Sequence, residues 1–235
     1  MMQSETDHNR KTRLVLILAL LYSVSVLATD AFAAVGVGWP IDWTVFRWWP
    51  ARDWDAPFLL RFDGFKFLFW FAIPFCCCLP WMDWGALGIR GWKKIDAAIL
   101  LFILLGGLGA MALIPHVPAL AKLYYHPSNL PSDVRNLIAM QHLVWVFSWL
   151  LGWEFLHRYF LLRPLRACWP KYGWLAVPLA ETLYHLQKPG LEVLGMAAFS
   201  LILTPWAIRR KNVLLPFLAH FIIEVELILF MRFYA

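Results

Sequence analysis

Charge is scarce in this chain. Only 15% of its 235 residues are Asp, Glu, Lys or Arg and 61% are hydrophobic, whereas soluble domains carry about 25% charged and about 45–50% apolar residues. That shortage excludes an ordinary soluble domain. Cysteine is scarce too: Cys76, Cys77 and Cys78 sit inside an apolar run and Cys168 stands alone. Such spacing makes neither a disulfide framework nor a zinc ribbon, and the triplet is expected to pack. Internal repeats and low-complexity tracts are lacking. The net charge of +6 does not point to nucleic acid, because the basic residues lie in short loops between apolar runs, where orientation in a membrane accounts for them.

Long apolar runs take the place of charge. Segments at 14–35, 65–81, 95–114, 134–162, 173–186, 191–208 and 213–233 predict an all-α, polytopic membrane bundle of about seven helices, since a helix needs about 20 residues to cross the hydrocarbon core. The fifth and sixth are short and separated only by Gln187, Lys188, Pro189 and Gly190. They are expected to form a hairpin that turns inside the bilayer, where protein or water must satisfy its backbone. If the segments alternate, thirteen of the 21 basic residues fall on the N-terminal side, among them Arg10, Arg90, Arg163, Arg166 and Lys211. The positive-inside rule then puts the N-terminus in the cytoplasm. Ala31-Phe32-Ala33 after the first run also resembles a signal-cleavage site, but the run is long for a signal and is expected to stay as an anchor. Residues 36–64, with Trp39, Trp43, Trp48, Trp49 and Trp54, read as an outer-face segment on the lipid headgroups. Two parts are expected: N-terminal helices with this loop (1–133) and a catalytic helical core (134–235).

Ionisable groups within the spans cost about 2.5–3.5 kcal/mol each on insertion scales, so each needs a reason. The N-terminal half has almost none. The C-terminal half carries Glu154 and Arg158, Glu181 and His185, Glu192, and then His220, Glu224 and Glu226. Glu154 with Arg158, Glu181 with His185 and His220 with Glu224 are each four apart, so each pair shares a helical face. One such pair is easily a structural ion pair; three on neighbouring spans point to acid–base chemistry. A carboxylate beside a histidine can activate water, and a second histidine or the arginine can hold an oxyanion. His185 reaches the others only if the hairpin stops near mid-membrane. His142 shares a stripe with Trp145, Trp149 and Trp153 and is expected to pack; His157 faces either the site or the headgroups; His8, His116 and His126 lie outside the spans.

The run Trp153-Glu154-Phe155-Leu156-His157-Arg158-Tyr159-Phe160-Leu161 resembles the Glu-Glu-x-x-x-Arg motif of the CAAX prenyl endopeptidase and bacteriocin-processing (CPBP) family of intramembrane proteases. His185 with Lys188, Pro189 and Glu192 resembles that family's second motif, and Leu215-Pro216-Phe217-Leu218-Ala219-His220 with Glu224 its last. The resemblance spans about residues 140 to 228. It implies a helical protease whose site is sunk in the membrane and open to the cytoplasmic side. There a Glu and a His activate water while a second His and a polar residue hold the oxyanion, with no cofactor and no metal called for. Carried over, Glu154 matches the second Glu, Arg158 the Arg, His185 the motif-two His and His220 the last His. Glu224 stands where Asn or Asp is commoner. Trp153 replaces the first Glu, the usual base, so the base is Glu154 itself or a supporting carboxylate from Glu181 or Glu192.

The expected function is therefore cleavage of a membrane-anchored or hydrophobic peptide near the cytoplasmic face, in a multi-pass protein of a bacterial inner membrane. Its partners are the peptide substrate and the bilayer, not nucleic acid. The rival is an inactive relative that acts by binding, as an immunity or processing partner. A metal or haem site on His185 and His220 is disfavoured, since neither His-x-x-x-His nor His-Glu-x-x-His occurs around them.

Overall fold

Runs of apolar residues long enough to cross a bilayer form helices that bury a stripe against protein and give the rest to lipid. The computed structural model describes residues 2–34, 62–88, 91–124 and 130–234. Arg90, His126 and the tryptophans from Trp39 to Trp54 lie outside the described residues. All seven apolar segments become helical. They are α1 (Met2–Ala34), the joined α2 and α3 (Gly64–Lys66 and Ile73–Cys78), α4 (Lys94–Leu113), the joined α6 and α7 (Ser132–Phe155 and Leu162–Cys168), α8 (Ala176–Tyr184), α9 (Gly190–Arg210) and α10 (Leu214–Tyr234). A short α5 (Pro118–Tyr124) lies between the third and fourth segments. Five stretches are long and apolar enough to span a membrane: Arg10–Ala33, Gly64–Trp81, Lys94–His116, Gly190–Arg210 and Leu214–Tyr234. The chain is an integral membrane protein.

α6 is the axis of the bundle. Val146, Trp149, Leu150 and Trp153 are buried with Trp70, Phe65 and Ile228, and α10 packs along it. Gly152 is what lets α2–α3 approach, since a Cβ there would sit 2.8 Å from Cβ of Trp70 and 3.1 Å from its neighbouring backbone. α1 buries Leu16, Ala19, Ser23, Val26, Leu27 and Asp30, while Leu14, Leu18, Leu21 and Val24 stay exposed. It docks on Leu161, on Leu162 and Leu165 of α7 and on Val177 of α8, so the first segment is an integral part of the core. Of the cysteine triplet only Cys78 packs; Cys76 and Cys77 are exposed.

Two π-helical turns interrupt this regularity, Phe67–Ala72 and Leu156–Leu161. They end two and three residues before a proline, Pro74 and Pro164 respectively. Proline lacks the N–H and its ring crowds the carbonyl four residues back, so a locally widened turn is the way these helices continue. Such turns recur at functional sites, and the second one carries His157 and Arg158.

The fifth and sixth segments are unequal. α8 has nine residues, flanked by 3₁₀ turns at Gly173–Leu175 and His185–Gln187, and crosses about half of a bilayer. α9 runs for 21 residues and is a full span. Only the first leg of the expected hairpin is short, because α9 continues to Arg210 through Pro205. The N-terminal half is also less bare of charge than its sequence suggested. Asp30, Asp63 and Asp96 are all buried. Asp96 accepts from Trp206 Nε1 (2.8 Å) and from Arg210 Nη2 (2.6 Å), tying α4 to the end of α9.

Candidate active site

Helical spacing puts Glu154 and Arg158 on one face of α6 and its π turn, and the fold brings α8, α9 and α10 to that face. Arg158 Nη1 donates to Glu154 Oε2 (2.6 Å) and to Glu181 Oε1 (2.8 Å). Its Nη2 donates to Glu181 Oε2 (3.0 Å) and reaches Ser200 Oγ at 3.5 Å. Glu154, Glu181 and Ser200 are fully buried. One planar guanidinium thus binds two carboxylates, one of them in the two-pronged geometry that lysine cannot supply. Removing one partner of such a buried set strands the others and costs about 3–5 kcal/mol.

The second oxygen of Glu154 faces α10. His220 Nδ1 lies 2.8 Å from Glu154 Oε1. A carboxylate accepts, so Nδ1 carries the hydrogen. Nε2 is then the nitrogen left to exchange a proton, and it faces Glu224 Oε1 at 3.8 Å. That gap is too wide for a direct hydrogen bond and is of the order a bridging water fills. Trp149 and Phe199 flank the imidazole, each with ring centroids 5.6 Å away. A carboxylate that fixes a histidine's tautomer while the far nitrogen faces the reacting group is the logic of a catalytic triad.

His185 ends α8 with Nδ1 2.8 Å from the Glu181 carbonyl, which fixes the hydrogen on Nδ1 as well. Its ring stands edge-on to Trp153, 5.5 Å between centroids. Trp153 occupies the position where the sequence motif has its first Glu. It is buried against Trp70, His157 and Tyr184, so an indole fills the space of that carboxylate. His157 faces the core, not the headgroups: it is fully buried, its Nδ1 2.9 Å from the Trp153 carbonyl and 3.8 Å from Glu181 Oε1. Glu192 stands apart from Arg158. Its Oε2 accepts from Tyr124 Oη (2.8 Å), and Lys188 Nζ is 3.7 Å from Oε1. Burial and the Glu192 carboxylate push the Tyr124 phenol above its usual range.

The structure thus joins Glu154, Arg158, Glu181 and His220 in one hydrogen-bonded chain, with Glu224 at its open end. His185 lies beside it behind Trp153, and Glu192 belongs to a separate group with Tyr124 and Lys188. Ser200 and Tyr124 escaped the sequence. Ser200 left a faint trace, lying four residues before Thr204 on the same helical face; Tyr124 left none. Among the described residues no group of three or more His, Cys, Asp or Glu side chains is placed to hold a metal ion.

Residues 135–225 match a family model described as type II CAAX prenyl endopeptidase Rce1-like. Comparison with curated proteins and with solved structures gave no match. The matched family is one of proteases, and the match supports a function of the CAAX-type intramembrane protease kind.

Proposed function

We propose, on the match of residues 135–225 to the Rce1-like family model, that this chain is an intramembrane endopeptidase of the CPBP kind in which carboxylate and histidine activate water. The observation that carries the assignment is His220, held by Glu154 at Nδ1 and facing Glu224 from Nε2. Water between Nε2 and Glu224 gives up a proton to this pair as its oxygen attacks the scissile carbonyl. His185, held at Nδ1 by the Glu181 carbonyl, offers Nε2–H to the oxyanion when protonated. The proton taken by His220 then passes to the departing amine, and one water is consumed per bond cut. Both Glu154 oxygens are occupied, by Arg158 and His220, so Glu154 acts here as a positioning residue. Arg158 and Glu181 hold it in place, and Glu192 shapes the approach to Glu224.

The substrate in this proposal is a membrane-anchored or hydrophobic peptide cut near the cytoplasmic face of a bacterial inner membrane, with the N-terminus of the enzyme in the cytoplasm. The basic ends of the spans support that orientation. The rival is an inactive relative that binds peptide without cutting it, and the indole at Trp153 favours it. An in-membrane cleavage assay separates the two. Purified protein meets a library of membrane-anchored peptides beside His220→Ala and Glu224→Gln. Cleavage by the unaltered protein alone is expected; silence from all three, while an active relative cuts the same library, would leave the binding partner as the answer.

A further inference from the structure

Arg163, Arg166 and Lys211 follow from loops that any membrane protein uses to fix its orientation, but here they surround a cavity. It has a volume of about 300 Å³ and lies where α7, the α9–α10 turn and residues 83–86 meet. Arg166 and Lys211 have no acidic partner among the described residues. Arg163 bonds only neutral oxygens, the Tyr159 hydroxyl (2.6 Å) and the Trp81 carbonyl (3.3 Å). Asp83 is the one acid of the lining, and its Oδ1 is turned to the Gly85 N–H. Deeper in, Arg158 contributes to the lining, and its buried Nε has no partner. Leu162, Ile208 and Val213 make apolar wall.

The pocket is held in shape by bonds that owe nothing to the buried carboxylates. Val213 N donates to the Ala86 carbonyl (2.8 Å), Asn212 Nδ2 to the Gly88 carbonyl (2.5 Å) and Asp83 N to the Tyr159 hydroxyl (2.7 Å). Lys211 ends α9 in the left-handed conformation, φ 48° and ψ 44°. Glycine or asparagine takes that position without strain; here a lysine takes it, at the mouth of a cationic cavity. Trp81, Trp84, Trp169 and Tyr172 are exposed at this end of the bundle, as side chains at the headgroup level are.

We propose that this pocket binds a phosphate group, that of an anionic phospholipid in the adjoining leaflet. Arg163, Arg166 and Lys211 surround the phosphate, and the glycerol and first acyl carbons lie on Leu162, Ile208 and Val213. Basic pockets between spans on the cytoplasmic side take such headgroups. A free phosphate has the same charge chemistry but no use for the apolar wall.

The test uses full-length protein in phosphatidylcholine nanodiscs carrying a small share of phosphatidylglycerol, with retained lipid counted by native mass spectrometry. The unaltered protein should keep one phosphatidylglycerol. Arg166→Gln with Lys211→Gln should weaken retention about 30-fold, each cation near an anionic surface being worth roughly a factor of five. Arg13→Gln with Arg209→Gln, equal in net charge but outside the cavity, should keep it. Arg166→Lys with Lys211→Arg should restore most retention and guards against misfolding. A second arm titrates inorganic phosphate into phosphatidylglycerol-free discs. Phosphate binding that depends on Arg166 and Lys211 without lipid retention would keep the phosphate site and make its ligand soluble. Equal behaviour of the two double variants with no phosphate binding would overturn the proposal.

Discussion

Two buried polar groups lie on either side of Trp153, and they differ in what they leave over. On one side Lys66 Nζ lies 3.6 Å from both Asp30 and Asp63, and the Tyr184 hydroxyl donates to Asp30. Lys66 also stands over Trp70 and Trp145, 5.0 and 5.6 Å from the ring centroids. This group joins α1, α2 and α8. On the other side Arg158 joins α6, α8 and α9, and Glu154 extends the chain to α10. The first group ends in a lysine enclosed by two carboxylates and two rings. The second ends in an imidazole nitrogen that faces a carboxylate 3.8 Å away without a direct hydrogen bond between them. Burial of charge is common to both; a nitrogen free to exchange a proton belongs to the second alone.

The largest expected effect tests that distinction. His220→Ala and Glu224→Gln should each lower peptide cleavage about 10²–10⁴-fold, the range for removing a positioned acid–base group, with membrane insertion unchanged. Asp30→Asn should leave cleavage within a few-fold. Equal loss from Asp30→Asn, in protein of unaltered thermal stability, would erase the difference between the two groups. Glu154→Gln should lower the rate and alter its pH profile, because the amide no longer fixes His220 in one tautomer.

Next in size is stability. Arg158→Ala leaves Glu154 and Glu181 buried without their cation and should cost about 3–5 kcal/mol, read from unfolding in detergent. Arg158→Lys should recover only part, because a point charge cannot serve both carboxylates in the fork geometry. Lys66→Met should cost less, on the order of 1–3 kcal/mol, since Lys66 is 13% exposed and its rings remain. The triple change Asp30→Asn, Asp63→Asn and Lys66→Met should be milder than Lys66→Met alone, as it leaves no unpaired charge.

The sequence carried the spans well, since each apolar run became a helix. Of its pairs spaced by four, Glu154 meets Arg158 and His220 faces Glu224, but the Glu181 carboxylate goes to Arg158 and His185 bonds only the Glu181 carbonyl. It carried partners poorly. That Glu154 shares Arg158 with Glu181 depends on how α8 enters the bundle, which no periodicity in α6 contains. The π turn at Leu156–Leu161 left only an indirect trace, Pro164 three residues beyond it, which marks a disturbed helix without saying that the turn widens. Asp30 and Asp96 gave no sign of burial, because the cations they meet lie far off in the chain, whereas Asp63 has Lys66 only three residues on. Arg210, which meets Asp96, is 114 residues away.

The smallest expected effect concerns Tyr124, the residue with no sequence signal. Its hydroxyl donates to Glu192 at the start of α9, and Lys188 lies 6.0 Å over its ring. Tyr124→Phe removes one hydrogen bond to a carboxylate but keeps the ring, so stability should fall by about 1.5 kcal/mol or less, because Glu192 retains Lys188 and is partly exposed. If α5 shapes the approach to Glu224, the same change should raise the KM for a peptide substrate severalfold and leave kcat nearly untouched. A fall in kcat with constant KM would instead make Tyr124 part of the proton-transfer machinery, and the distinction between the hydrogen-bonded chain at Arg158 and the Glu192 group would then have to be redrawn.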